Sequence, residues 1–133
     1  MAGSFSDYAE DKILDHLVGK TSFTMPTHSW VGLSTVNPTD DASGNAEPAE
    51  NYARIETAGS DWDASSGGAI ANAAAITFAT ATGAGWGTIT HFTLWDALTA
   101  GNMLAHGDLD VQKVVGTGDT FEFAIGALDI TLA

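Results

Sequence analysis

Gly118-Asp-Thr-Phe-Glu-Phe-Ala-Ile-Gly-Ala-Leu-Asp-Ile-Thr-Leu132 decides the fold. Apolar residues take every second position, with Phe121, Phe123 and Ile125 in one run and Leu128, Ile130 and Leu132 in the next. A period of two lays one side of each run on a buried layer, which is the pattern of a half-buried strand. Gly118-Asp119 and Gly126 supply the turns. Strands are therefore expected at 120–125 and 127–132, with Phe121, Phe123 and Ile125 facing one apolar layer. Working back along the chain, the same alternation predicts strands at 111–115, at 103–109 (Met103, Ala105, Leu109), at 87–95 and at 74–79 (Ile76, Phe78). Within 87–95, Phe92 and Leu94 share one face, and Ile89, His91 and Trp95 the other.

The first half adds strands near 29–35 (Val31, Leu33) and 52–57 (Ala53, Ile55). Pro38 ends the first of them. Residues 36–50 carry Asn, Pro, Asp-Asp and Ser-Gly-Asn without a large apolar run, so they read as an exposed loop. Residues 59–68, with Asp61-Trp62-Asp63 and Ser-Ser-Gly-Gly, are rich in turn signals. Only residues 7–18 have helical spacing. Ser6 or Asp7 can cap this helix, Asp7 with Glu10 has capping-box spacing, and Gly19 is the stop. Ile13, Leu14, Leu17 and Val18 form one apolar stripe. So short a helix needs a partner for its stripe; its own sheet is the expected one, a neighbouring subunit the alternative. Seven or eight short strands and one N-terminal helix predict a mainly β protein, an antiparallel β-sandwich or open barrel. Residues 1–133 form one domain, with 1–6 as an N-terminal arm.

Composition excludes several classes. Hydrophobic residues make up 44% and charged residues 16%, values of a globular chain. Seventeen acidic against four basic residues give a net charge of −13. Lys12, Lys20, Arg54 and Lys113 are scattered, whereas phosphate neutralisation needs clustered cations, so nucleic acid is not an expected partner. No apolar run approaches the length of a membrane span. Met1-Ala-Gly-Ser lacks the features of a signal peptide, so synthesis in the cytoplasm is expected. There is no cysteine for disulfides or thiolate metal sites.

Chemistry-bearing patterns are weak. His16, His28, His91 and His106 have no metal-ligand spacing, and no metal or cofactor is expected. Asp40-Asp41-Ala42-Ser43-Gly44-Asn45-Ala46-Glu47 has the acidic character of a calcium loop but not its alternation or its terminal glutamate. Asp61 and Asp63 could suggest paired glycosidase carboxylates, yet at i and i+2 in a turn they read as solvated. No nucleophile elbow and no phosphate loop is present, so the chain reads as a non-enzyme. Trp30, Trp86 and Trp95 lie in strand patterns that fill a core or interface. Trp62, in a polar turn, reads as an exposed platform for a sugar or a contact anchor.

Several segments, taken together, resemble one family. They are Ile13-Leu-Asp-His-Leu-Val-Gly-Lys20, Trp30-Val-Gly-Leu-Ser-Thr-Val-Asn-Pro-Thr-Asp-Asp41, Asn51-Tyr-Ala-Arg-Ile55, Ala73-Ala-Ala-Ile-Thr-Phe78, Trp86-Gly-Thr-Ile-Thr-His-Phe92 and the run 118–132. In order and over nearly the whole chain, they resemble small tailed-phage virion proteins usually labelled tail fibre proteins. The resemblance implies a virion building block, and a structural role for His91. Size, acidity and exposed loops then favour a head decoration (cement) protein on the capsid exterior, contacting the major capsid protein or neighbouring virion subunits. A tail fibre or tail-tip component is the alternative, and a carbohydrate-binding module the third reading. Long sheet edges with few lysines predict a closed oligomer, and the resemblance implies a trimer, since phage decoration and fibre proteins are commonly threefold. The expected interface residues are Phe5, Ile13, Leu17, Pro38, Asp40, Asp41, Arg54 and Trp62.

Overall fold

The alternating runs of the second half meet at the centre of the molecule. The computed structural model describes residues 3–131. Met1 and Ala2 of the expected arm and Leu132 of the expected last strand lie outside them. The elements are β1 (Gly3–Phe5), α1 (Asp7–Leu17), β2 (His28–Ser34), β3 (Ile55–Ala58), a 3-10 turn (Gly59–Asp61), β4 (Ala69–Ala71), β5 (Ile76–Thr77), β6 (Gly87–Trp95), β7 (Met103–Val115), β8 (Glu122–Phe123) and β9 (Asp129–Thr131). A five-stranded antiparallel sheet runs β1-β7-β6-β2-β3. Two short antiparallel ladders, β4-β9 and β5-β8, form a second layer. The sheets stay open, so the fold is the expected mainly β sandwich type.

The core lies between these layers. Val31, Leu33, Ile89 and Phe92 come from the large sheet, and Ile76, Phe78, Phe121, Phe123, Leu128 and Ile130 from the other side. The phenylalanines meet edge to face, Phe121 and Phe123 at 5.0 Å and Phe78 and Phe121 at 5.8 Å between ring centres, the arrangement favoured by the ring quadrupole. Asn72, fully buried, clamps the second layer. Its Nδ2 donates to the carbonyls of Ala74 (2.8 Å) and Ala124 (2.9 Å), and its Oδ1 accepts from the Leu128 amide (2.9 Å).

That clamp explains one departure from the alternation. The chain turns around Asn72, with Gly126 N–H bonded to its carbonyl and Ala127 N–H to that of Ala124. Gly126 takes a φ of 77°, open to glycine at no steric cost. The strand therefore ends at Phe123, and Ile125 points to solvent at 70% exposure instead of joining Phe121 and Phe123. A second departure lies between β6 and β7. Ile89 pairs with Lys113 and His91 with Asp108, so Thr90 alone faces Leu109, Asp110, Val111 and Gln112. The irregularity reverses the phase of β6, and Ile89 enters the core with Phe92 rather than sharing a face with His91 and Trp95. It also joins the two strands expected at 103–109 and 111–115 into one bent strand.

Residues 3–6 of the expected arm are not free. Gly3, Ser4 and Phe5 pair with Gly107, His106 and Ala105 at the edge of the sheet. Ser6 caps α1, its Oγ accepting from Ala9 N–H at 3.2 Å and donating to the Met103 carbonyl. Gly19, at φ 75°, follows the helix as its left-handed stop.

Candidate interaction surfaces

The helix meets its own sheet with a different face from the one its sequence suggests. Ala9 is buried and Ile13 half-buried, while Leu14, Leu17 and Val18 are 61, 72 and 78% exposed. Packing on its own sheet is thus refuted for most of the stripe. Two effects fix this. The Ser6 cap ties the start of the helix to Met103, and the Asp7 amide donates to the Asp40 carbonyl at 3.0 Å. With that end anchored, small Ala9 sets the close approach and the larger side chains turn away.

A second surface, of mixed apolar and charged lining that includes Asp110, Lys113, Asp119 and Glu122, lies along the C-terminal half of β7. Two adjoining hollows of about 370 and 220 Å³ share Lys113, Phe121 and Glu122. Val111 and Val114 stand exposed on their rims. Lys113 makes no ion pair or ring contact among the described residues. The other basic side chains are engaged: Lys12 over the Tyr8 ring, Lys20 near Asp15 at 3.9 Å, and Arg54 with Glu47.

Most of the other expected interface residues serve the fold. Arg54 is buried. Its guanidinium pairs with both Glu47 oxygens (2.8 and 2.9 Å), donates to the carbonyls of Ala97 (2.8 Å) and Ala100 (2.9 Å), and stacks 3.8 Å from the Trp95 ring. Tyr52, just ahead of β3, donates its Oη–H to Glu47 at 2.8 Å and accepts from Leu33 N–H at 2.9 Å. Burial, reinforced by the Glu47 charge, pushes the Tyr52 phenol well above the tyrosine range. Gly32 makes room for this: a Cβ there would lie 2.6 Å from Thr93 Oγ1 and 2.9 Å from Tyr52 Oη. Pro38 is buried too. The loop 36–50 is therefore exposed only in part, being pinned across the outer face of the sheet.

Asp40 pins the same loop at its other end, 2.8 Å from His106 Nε2. On the neighbouring rung His91 Nε2 lies 2.6 Å from Asp108. Burial holds the His91 pKa below its ordinary 6.5, His106 adds to the lowering, and Asp108 opposes it. Asp41 is exposed, but Thr39 Oγ1 at 2.7 Å and Ser43 N–H at 3.0 Å occupy its carboxylate and lower its pKa to about 2. Asp61 caps a turn, accepting from the Ala58 amide at 2.8 Å. Among the described residues no three His, Asp or Glu side chains converge as a metal site.

The aromatic residues are also committed. Trp62 is half-buried against the core, with Nε1 donating to Thr57 Oγ1 at 3.1 Å, so the exposed platform expected there is absent. Trp86 and Trp95 are buried, and Trp30 and Phe5 are half-buried in their strands. Of the eight expected interface residues, only Leu17 is a largely exposed apolar side chain. The groove beside β7 escaped the sequence reading. Its signal was present in Val111 and Val114, which flank Lys113 in a segment read only as a strand.

Fold and surfaces together define a class: a small one-helix β-sandwich module. Its buried polar groups hold its own loops in place, and part of its apolar surface stays outside. Sequence comparison is more particular. Residues 4–131 match the family described as podophage GP4 fiber I protein gp80, and the chain belongs to that family. No curated protein matches the chain. Membership bears out the resemblance to tail fibre proteins and makes the chain a structural component of the phage virion.

Proposed function

We propose that the chain is a subunit of a podophage tail fibre, carried on the outside of the particle, with no catalytic activity and no cofactor. The family match over residues 4–131 carries this reading. Head decoration, favoured by size, acidity and exposed loops, draws no support from that family, whereas the tail-fibre alternative fits it. The net charge of −13 supports an exterior position, because a wall facing packed DNA has phosphates to neutralise. The partners are neighbouring virion subunits, and copies associate into a closed oligomer, a trimer, that covers apolar surface and sheet edges. Among the described residues no helix is long and apolar enough to cross a membrane.

Quantitative mass spectrometry of purified virions tests the assignment. A few to a few dozen copies per particle, recovered with detached tails, is the expected result. Hundreds of copies recovered with tail-free heads would overturn it in favour of capsid decoration.

A further inference from the structure

We propose that the N-terminal segment of residues 3–17 is exchanged between copies, so that β1 and α1 of one chain sit on the body of the next. The inference rests on the reading of the chain as an assembling virion subunit. The seat for this segment is built and specific. β1 adds to the edge of β7 with Gly3, Ser4 and Phe5 opposite Gly107, His106 and Ala105. The Ser6 amide donates to the Leu104 carbonyl at 3.0 Å, the Asp7 amide donates to that of Asp40, and Ala9 is buried. The connection from the segment back to the body is the opposite. Residues 18–27 are all exposed except half-buried Phe23. Among the described residues their hydrogen bonds go to α1 alone, from the amides of Val18, Gly19, Lys20 and Thr21 to carbonyls of Leu14, Asp15 and His16, and from Phe23 N–H to His16 Nδ1. The connector thus travels with the segment. Fully extended it reaches about 33 Å, roughly the width of a domain of this length. Gly19, at φ 75° with open space around it, is the hinge, and Pro26 holds Met25 extended.

Exchange keeps every contact of the seat, so the balance rests on what meets at the crossover. There the connector leaves one body while the segment lies on another, which brings the end of α1 between two copies. Leu14, Leu17, Val18 and Met25 stand at that place, 61, 72, 78 and 82% exposed. In the closed monomer they face water. Between two bodies their apolar area leaves it, and this offsets the entropy of association.

The chain has no cysteine, so introduced thiols report cleanly. Ser4→Cys in one chain and His106→Cys in another occupy opposed positions, within reach of a disulfide. Co-expressed and oxidised, the two variants should give a covalent pair of doubled mass, joined at these positions in peptide mass spectrometry. Inserting about six glycine and serine residues between exposed Thr24 and Met25 should return the protein to monomer in sedimentation equilibrium, because a long flexible connector lets the segment fold back on its own body. This second variant decides the matter if His106→Cys alters the near-ultraviolet circular dichroism. A monomeric wild-type protein would overturn the proposal. So would an oligomer that the insertion leaves intact, or a chain carrying both cysteines that closes its disulfide only within itself. Copy number per virion is measured independently. A few copies per particle without exchange would refute only the exchange, and a head location only the fibre reading.

Discussion

Replacing Arg54 with alanine is the sharpest test of how the outer face of the sheet is held. The guanidinium links Glu47 in the loop 36–50 to the carbonyls of Ala97 and Ala100 and covers the Trp95 ring. Its removal orphans two carbonyls and leaves the Glu47 carboxylate with the Tyr52 hydroxyl. Breaking a buried ion pair by removing one partner costs about 3–5 kcal/mol. The Glu47 side chain is 24% exposed, so water recovers part of its solvation and the lower half of that range applies. An unfolding entropy of about 2.1 cal/mol/K per residue over 133 residues is roughly 0.28 kcal/mol/K. A loss of about 3–4 kcal/mol then lowers the melting temperature by roughly 11–14 °C. Scanning calorimetry at neutral pH measures this directly. Arg54→Lys should fall between alanine and wild type, because an ammonium cannot supply the planar fork. Glu47→Gln with Arg54→Ala should cost less than the sum of the two single changes. A drop below about 4 °C for Arg54→Ala, or strict additivity in the pair, would refute the latch.

Asn72→Ala removes three buried hydrogen bonds and should cost about 2–4 kcal/mol in urea unfolding; a loss under about 1 kcal/mol would mean that the 124–128 turn holds itself. Phe123→Ala should cost about 3–5 kcal/mol, while Ile125→Ala should stay within about 0.5 kcal/mol, and a reversed order would place the wrong residue in the core. Gly32→Ala, forced against Thr93 and Tyr52, should cost about 1–3 kcal/mol in the same assay, and a neutral result would show that the loop can retreat. For His91 the folded pKa lies below the unfolded one, so between them the unfolded chain binds more protons. Its contribution is present in full above 6.5 and declines as pH falls from there to the folded value. Melting temperatures from neutral to mildly acidic pH should show this decline, and His91→Gln should flatten it; an unchanged slope would assign the decline to other groups.

Period-two alternation was enough to find the longer strands and the antiparallel class, because a half-buried strand writes its burial into every second residue; β1 and β4, three residues each, are too short to show a period. It failed where backbone geometry broke the period. The bulge opposite Thr90 reversed the face of Ile89, and the turn around Asn72 put Ile125 outside, although both residues look like core in sequence. Arg54 shows a different limit. A lone arginine beside turn segments reads as surface, since nothing local reveals that Glu47, Trp95 and two carbonyls gather around it. The helix was legible in its cap, length and stop, but its orientation was not. An apolar stripe records that a partner is required and does not say whether it is the same chain.

The strand pairing also bears on when the molecule can fold. β1 waits for β7, β4 for β9 and β5 for β8, so Gly3 must find Gly107 and Ile70 must find Ile130. Such distant pairings are slow, because loop closure is unfavourable until the contacts it enables have formed. A chain emerging from the ribosome therefore carries unsatisfied early strands until its last segments are made, the stage at which unfinished chains pair wrongly with one another. Acidic residues spread through the sequence keep those nascent chains mutually repellent, so the charge that shapes the finished surface already acts during translation.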